Sequence, residues 1–104
     1  MGGAWRKGVW RMPLVELTAR VSGDVHGVGY RYFCKQIAAR HGLTGHARNV
    51  DDGSVEVAVC GEQANVAEFF LDLQARQPPS GRVDGVEFVG RKETSFKPAF
   101  FKIC

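Results

Sequence analysis

Residues 23–31 carry the sequence Gly23-Asp24-Val25-His26-Gly27-Val28-Gly29-Tyr30-Arg31. A strand-like run from Leu14 to Ser22 leads into this segment, and a helix-like run from about Tyr30 to His41 leads out of it. A glycine-rich connection between strand and helix exposes backbone N–H groups, and the start of the helix adds the positive end of its dipole. Arg31 adds a planar, permanently charged fork suited to phosphate or carboxylate. The segment therefore predicts an anion-binding loop, with an ordinary tight turn as the alternative.

The remaining periodicities predict four more strands or strand-like segments and a second helix. A weaker strand over 43–50 and a clear strand through Val55, Val57 and Val59 flank the turn 49–53. Helical spacing predicts a helix that ends before Pro78, and its apolar face consists of Val66, Phe69, Phe70 and Leu73. A strand over 83–89 changes parity midway, which predicts a bulge. A final extended segment over 96–103 contains Pro98, which confines it to an edge or an irregular start.

The order βαββαβ, followed by a terminal strand, predicts an α+β fold. Two helices would cover one face of an antiparallel sheet, and the split βαβ topology of a ferredoxin-like two-layer sandwich satisfies right-handed crossovers in this order. The chain of 104 residues is long enough for one such domain, which we place at residues 14–104. Residues 1–13 show no period and are predicted to be a flexible N-terminal extension.

Charge and cysteine content narrow the function class. Residues 1–13 hold three of the 14 basic residues and none of the 11 acidic ones, so 14–104 carries no net charge. A neutral domain argues against a nucleic-acid partner, and no apolar run is long enough to span a membrane. Three widely spaced cysteines favour reduced thiols in a cytoplasmic protein, with Cys34 and Cys60 as buried small apolar residues. No spacing of His, Cys or acidic residues predicts a metal site or a cofactor.

Several ordered motifs resemble those of the acylphosphatase family. The opening segment is similar to the family signature Gly-x-Val-Gln-Gly-Val-x-Phe-Arg. The similarity continues through 38–45 (Ala-Ala-Arg-His-Gly-Leu-Thr-Gly) and 49–56 (Asn-Val-Asp-Asp-Gly-Ser-Val-Glu), and it ends at 101–103 (Phe-Lys-Ile). The resemblance thus covers about residues 14–104.

The resemblance implies metal-independent hydrolysis of a small-molecule acyl phosphate to a carboxylate and inorganic phosphate, by a small cytoplasmic monomer. Arg31 matches the phosphate-binding arginine of the family, and Asn49 matches the asparagine that orients the attacking water. The family resemblance also assigns a role to the segment between the strand-like run and the helix, which we call the glycine loop. The glycine loop consists of Asp24, Val25, His26, Gly27, Val28 and Gly29. Its backbone N–H groups would bind the phosphoryl oxygens.

The chain departs from the family pattern at a few positions. His26 stands where the family usually has Gln, Tyr30 replaces Phe, and His46 and Ala47 stand where the family often has Trp and Val. We expect the side chains of Asp24 and His26 to point into solvent, so that only the backbone of His26 matters. The alternative is that His26 adds a titrating charge beside the phosphate. Without the resemblance, Asn49 would be interpreted as a turn former.

Two alternative functions share the same fold. One is a non-catalytic phosphate- or ligand-binding module, since this fold class also hosts RNA-binding and ligand-sensing domains. The other is an accessory domain that handles carbamoyl phosphate, because related acylphosphatase-like domains occur within larger maturation proteins. The length of this chain favours a free-standing enzyme over that accessory role.

Overall fold

The computed structural model describes residues 14–76, 78 and 81–104. The predicted extension, residues 1–13, lies outside the described residues. The elements in chain order are β1 (Leu14–Asp24), α1 (Val28–Arg40), β2 (Thr44–Asn49), β3 (Val55–Glu62), α2 (Gln63–Ala75), β4 (Arg82–Thr94) and β5 (Phe101–Ile103). Both helices and the first three strands therefore fall where the sequence places them, although α1 begins at Val28, two residues before the predicted start.

The five strands form one sheet in the order β4-β1-β3-β2-β5. The neighbours among β1 to β4 pair antiparallel, whereas β5 pairs parallel to β2 through Gly45–Ala47. The predicted ferredoxin-like sandwich is confirmed, and the one change is that β5 makes the sheet mixed. Because β2 and β5 run in the same direction, the carboxyl ends of both strands lie at the same end of the sheet.

The core lies between one face of the sheet and the two helices. Alternate residues of β1 and β3 point into it, and α1 and α2 contribute their apolar stripes. The most deeply buried large side chains include Phe69, Leu73, Val21, Val57 and Val59. Each such side chain contributes about 1.5–3 kcal/mol on burial, before conformational entropy is subtracted. This packing holds the ends of β1 and β2 rigidly beside the start of α1.

Strand β4 contains the predicted bulge and a second one. Its pairing with β1 shifts register between Ser22 and Gly23 and again between Thr18 and Ala19. The first shift leaves Asp84 without a partner on β1, which explains the change of parity after Val83. The strand also continues to Thr94, beyond the predicted end, because residues 91–94 pair with β1. These residues are charged or polar and show no apolar alternation, so the sequence pattern did not indicate the extension.

The C-terminal segment is less regular than predicted. Only Phe101–Ile103 is a strand, whereas residues 95–100 form bends and irregular structure. The reason is topological, since β4 and β5 lie at opposite edges of the sheet and the chain must cross between them. Lys97 Nζ donates to the Gly42 carbonyl at 2.9 Å along this crossing. The edge position of the segment is as predicted from Pro98.

Within the part of the chain that the structure describes, no helix has the length and apolar character needed to cross a membrane.

Candidate active site

The glycine loop joins the end of β1 to the start of α1. Gly27 is the N-cap residue of α1, with φ 110° and ψ 162°, and within the described part of the chain no side chain caps the helix start. A Cβ at Gly27 would meet nothing within 4 Å, so glycine is needed there for its backbone conformation and not for space. The first turn also contains no acidic residue. The N–H groups of this turn therefore lack intrahelical acceptors and present the positive end of the helix dipole.

Two residues of the loop are oriented in opposite ways. Val25 is 1% exposed and belongs to the hydrophobic core, so its side chain anchors the loop to the domain. Asp24 is exposed. The glycine loop thus contributes backbone groups at its surface, while one apolar side chain fixes its base.

Arg31 lies in the first turn of α1, as predicted, and two backbone oxygens orient its guanidinium group. Arg31 Nη1 donates to the backbone oxygen of Cys104, and Arg31 Nε makes a long hydrogen bond of 3.5 Å to the carbonyl of Gly27. Cys104 is itself held by β2, since its N–H donates to the Ala47 carbonyl at 3.0 Å. A cation at a helix start is unfavourable unless an anion compensates it. The geometry therefore places an ordered guanidinium where an anion is needed.

Asn49 is the last residue of β2 and pairs with Val55. It shares the inward side of the strand with the buried Ala47, two residues earlier. Asn49 Oδ1 is buried and has no hydrogen-bond partner among residues 14–76, 78 and 81–104. A buried unpaired acceptor costs about 1–3 kcal/mol. The atom is therefore available to a proton donor that enters the site, such as a water molecule.

The turn after Asn49 is closed by other residues. Val50 N–H donates to the Ser54 carbonyl at 2.8 Å, and Gly53 N–H donates to the Val50 carbonyl at 3.0 Å. Asp52 Oδ1 accepts from both the N–H and the hydroxyl of Ser54, and these hydrogen bonds hold the pKa of Asp52 below its usual value. Because the turn is complete without the Asn49 side chain, the turn-former alternative for Asn49 has no support here.

The side chain of His26 makes a contact that the sequence did not predict. The residue is exposed, as expected, but its Nε2 atom lies 3.1 Å from the carbonyl oxygen of Val50. The ring therefore reaches across to the turn at the end of β2, whereas the expectation that only the backbone of His26 matters stays a prediction. Every residue has a carbonyl oxygen, so no motif in the sequence indicates this contact.

These contacts bring the predicted residues together at one end of the sheet. Arg31 is linked through Cys104 to β2, and His26 is linked to Val50, which directly follows Asn49. The start of α1, the glycine loop and the end of β2 therefore surround one place. A separate groove of about 480 Å³ lies on the helix-free face beside Arg20 and Ser22, and none of the predicted site residues lines it.

Beneath the site, a buried pair fixes the start of α1. Tyr30 and Cys34 are 3% and 0% exposed, and burial raises the pKa of the Tyr30 hydroxyl far above its usual value. Burial likewise raises the pKa of the Cys34 thiol to about 12. Neither group ionises near neutral pH, so Cys34 is a packing residue and not a nucleophile. Cys60 is also buried, as predicted.

The described residues offer no cluster of three or more His, Cys, Asp or Glu side chains arranged to hold a metal ion. His41 and His46 instead pair with carboxylates, at 2.9 Å from Asp72 and 2.9 Å from Glu56. These two histidines therefore have structural partners outside the candidate site.

Comparison with solved structures finds acylphosphatases of similar size. An acylphosphatase from Coxiella burnetii is 27% identical with a TM-score of 0.71, and the match covers 88% of this chain and 94% of the other. An acylphosphatase from Bacillus subtilis is 26% identical with a TM-score of 0.67, and the match covers 86% of this chain and 94% of the other. Both matches span nearly the whole of each chain.

A much larger protein matches through one part of its length. HypF from T. kodakarensis is 32% identical with a TM-score of 0.66, and the match covers 89% of this chain but only 12% of that protein. The acylphosphatase family model matches residues 17–103, which include the glycine loop, Arg31 and Asn49. The chain therefore belongs to the acylphosphatase family.

Proposed function

We propose that this protein hydrolyses acyl phosphates, and that the site formed by the glycine loop, Arg31 and Asn49 performs the reaction. The observation that carries the proposal is the convergence, at one end of the sheet, of an oriented guanidinium with a helix start and a buried amide oxygen that have, respectively, no side-chain cap and no hydrogen-bond partner among the described residues. The first two bind an anion, and the third binds a proton donor. Family membership supplies the substrate class.

The phosphoryl group would be bound by charge and backbone together. Backbone N–H groups of the glycine loop and the first turn of α1 donate to its oxygens. Among the described residues, Arg31 uses Nε and one hydrogen of Nη1 on backbone oxygens. A guanidinium has five N–H donors, so the Nη2 group is left to donate to the phosphoryl oxygens.

Asn49 would hold the nucleophile. Its Oδ1 accepts a hydrogen bond from a water molecule and keeps the water oxygen directed at phosphorus. As the new bond between water oxygen and phosphorus forms, the bond between phosphorus and the carboxyl oxygen breaks. The carboxylate leaves with the bonding electron pair, and the proton of the water passes to the phosphate product or to solvent. A carboxylate is a good leaving group, so positioning and charge stabilisation suffice without a strong base.

The test is turnover of benzoyl phosphate, measured with and without a chelator. We expect hydrolysis in both conditions, and Arg31→Ala should reduce kcat/KM by about 10²-fold or more, as expected for the loss of a preorganised donor to developing charge. Arg40→Ala is the matched control, because Arg40 is an exposed arginine in the last turn of the same helix. No turnover by the unmodified protein, or equal losses in both variants, would contradict the proposal.

A second candidate, an accessory role toward carbamoyl phosphate, is favoured by the HypF match alone. Parallel assays on benzoyl phosphate and carbamoyl phosphate separate the two functions. Turnover of both substrates favours a free-standing acylphosphatase, whereas turnover confined to carbamoyl phosphate favours the accessory role. Phosphate binding without turnover of either would indicate the non-catalytic module.

We also propose that the protein acts as a cytoplasmic monomer without nucleic-acid or membrane partners. All three cysteines are free, which is typical of a reducing compartment. Residues 14–104 carry no net charge, which argues against a nucleic-acid or anionic-lipid partner. Sedimentation analysis tests the monomeric state directly.

A further inference from the structure

We propose that His26 is a positioning residue, whose side chain fastens the glycine loop to the strand end that carries Asn49. This inference rests on the proposed function, since it assigns the loop to the phosphoryl group and Asn49 to the water. The His26 contact would then set the distance between the electrophile and the nucleophile. The side chain itself touches neither of them.

The contact defines the tautomer of the ring. His26 Nε2 lies 3.1 Å from the Val50 carbonyl oxygen, which can only accept a hydrogen bond. A hydrogen bond here therefore requires the proton on Nε2.

The anchor at the far end of this contact is rigid. Val50 is fixed to the start of β3 by its N–H bond to Ser54, and its carbonyl accepts from Gly53 as well as from His26. Asn49 is separated from Val50 by a single peptide unit and pairs with Val55. Any shift of the loop relative to Val50 is thus a shift relative to Asn49.

The glycine loop needs such an anchor. Gly27 has a positive φ, and glycine gives the chain more freedom than any other residue. On the β1 side Val25 is buried in the core, and on the α1 side Arg31 reaches back only weakly to Gly27, at 3.5 Å. The His26 side chain lies between these points. It connects the middle of the loop to a neighbouring element.

A positioning role predicts a specific kinetic pattern. In His26→Ala we expect kcat to fall about tenfold. This fall lies between the rate effect of losing one hydrogen bond and the larger rate effect of misplacing a reacting group. The inhibition constant of inorganic phosphate should stay within about twofold, because the N–H groups and Arg31 still bind the phosphate. In His26→Gln the amide can donate to Val50, so kcat should recover to within about threefold.

A double-mutant cycle with Asn49→Ala identifies the route of the effect. If His26 acts by placing the loop against Asn49, then His26→Ala has no further effect on kcat in the Asn49→Ala background. His46→Ala is the matched control, since His46 pairs with Glu56 on the helix-free face and should leave kcat unchanged. An unchanged kcat in His26→Ala, or the same loss in both backgrounds, would overturn the proposal. A fall in kcat matched by a fall in Tm of more than about 5 °C, about 1 kcal/mol for a domain of this size, would also overturn it.

Imidazole nitrogen NMR on the unmodified protein makes the geometry testable without turnover. We expect the Nε2–H tautomer for the neutral ring, and His26→Ala should shift the amide resonances of Asn49 and Val50. The Nδ1–H tautomer would refute the contact. Absence of turnover in the unmodified protein would instead refute the proposed function, and the two failures are therefore distinguishable.

Discussion

Replacing Asn49 with alanine is expected to remove activity with little change in stability. Asn49 Oδ1 is buried and lacks a hydrogen-bond partner among the described residues. A buried acceptor that no donor reaches costs about 1–3 kcal/mol, and the truncation relieves whatever part of that cost a bound water does not already offset. The same truncation removes the packing contacts of a half-buried side chain, worth about 1 kcal/mol. The two terms change the free energy of unfolding by between about −1 and about +2 kcal/mol.

The consequence for thermal unfolding is measurable. A change of 1 kcal/mol moves Tm by about 4–8 °C in a domain of 60–100 residues, so Tm of Asn49→Ala should lie between about 8 °C below and several degrees above that of the unmodified protein. Turnover of benzoyl phosphate should fall by about 10²-fold or more, since the variant lacks the amide oxygen that we propose orients the water. Circular dichroism melting and a fixed-substrate assay on the same preparation measure both quantities.

Thr44→Val provides the matched control. Thr44 lies at the opposite end of β2, and its Oγ1 is likewise buried without a partner in the described part of the chain. This substitution should preserve or raise Tm, and it should leave turnover unchanged. If Asn49→Ala lowers Tm by more than about 8 °C, the amide is a structural group and the argument from its unpaired oxygen is wrong. If Asn49→Ala retains turnover, the water is held elsewhere.

Two further predictions concern stability. Gly45→Ala should destabilise the domain by more than about 2 kcal/mol in urea unfolding, because Gly45 has φ +147° and its added Cβ would lie 1.9 Å from the Ala58 carbonyl oxygen. The control is Gly42→Ala, which has open space around its Cβ and should cost only about 1 kcal/mol. Equal losses of stability in the two variants would contradict the steric argument. The hydrogen bond from His41 lowers the pKa of Asp72 in the folded protein. The ionised carboxylate therefore stabilises the fold at pH values above its unfolded pKa of about 4, and this stabilisation is lost as the pH falls through the lower folded pKa. Asp72→Asn should therefore be less stable than the unmodified protein at pH 6 and nearly equal to it at pH 2, and a difference that persists at pH 2 would exclude the charge as its cause.

Much of this fold could be predicted from the sequence because its hydrophobic periods are regular. The alternation in β1 and β3 and the helical stripe of α2 each match the buried faces observed. The first bulge of β4 was also predictable, since a change of parity must leave one residue unpaired. The end of β4 could not be predicted, because its last four residues pair with β1 through backbone hydrogen bonds while their side chains carry no apolar pattern.

The C-terminal segment shows a different limit. Residues 96–103 were predicted to be extended throughout, yet only three of them form β5. Local patterns record which residues favour extended backbone, but they do not record that β4 and β5 lie at opposite edges of the sheet. The crossing between the edges forces bends that local propensity cannot predict.

In the candidate site, side chains and glycines could be predicted from the sequence, whereas their backbone partners could not. Arg31 and the glycine loop could be predicted because an anion site needs a particular side chain and particular backbone angles, and arginine and glycine residues indicate both in the sequence. The groups that hold them in place are the backbone oxygens of Cys104 and Val50, and every residue type carries such an oxygen. His26 illustrates the result, since its chemistry was visible in the sequence while its partner was not. A substitution at Cys104 or Val50 that keeps the backbone path should therefore be tolerated, whereas a displacement of that backbone should disturb Arg31 or His26.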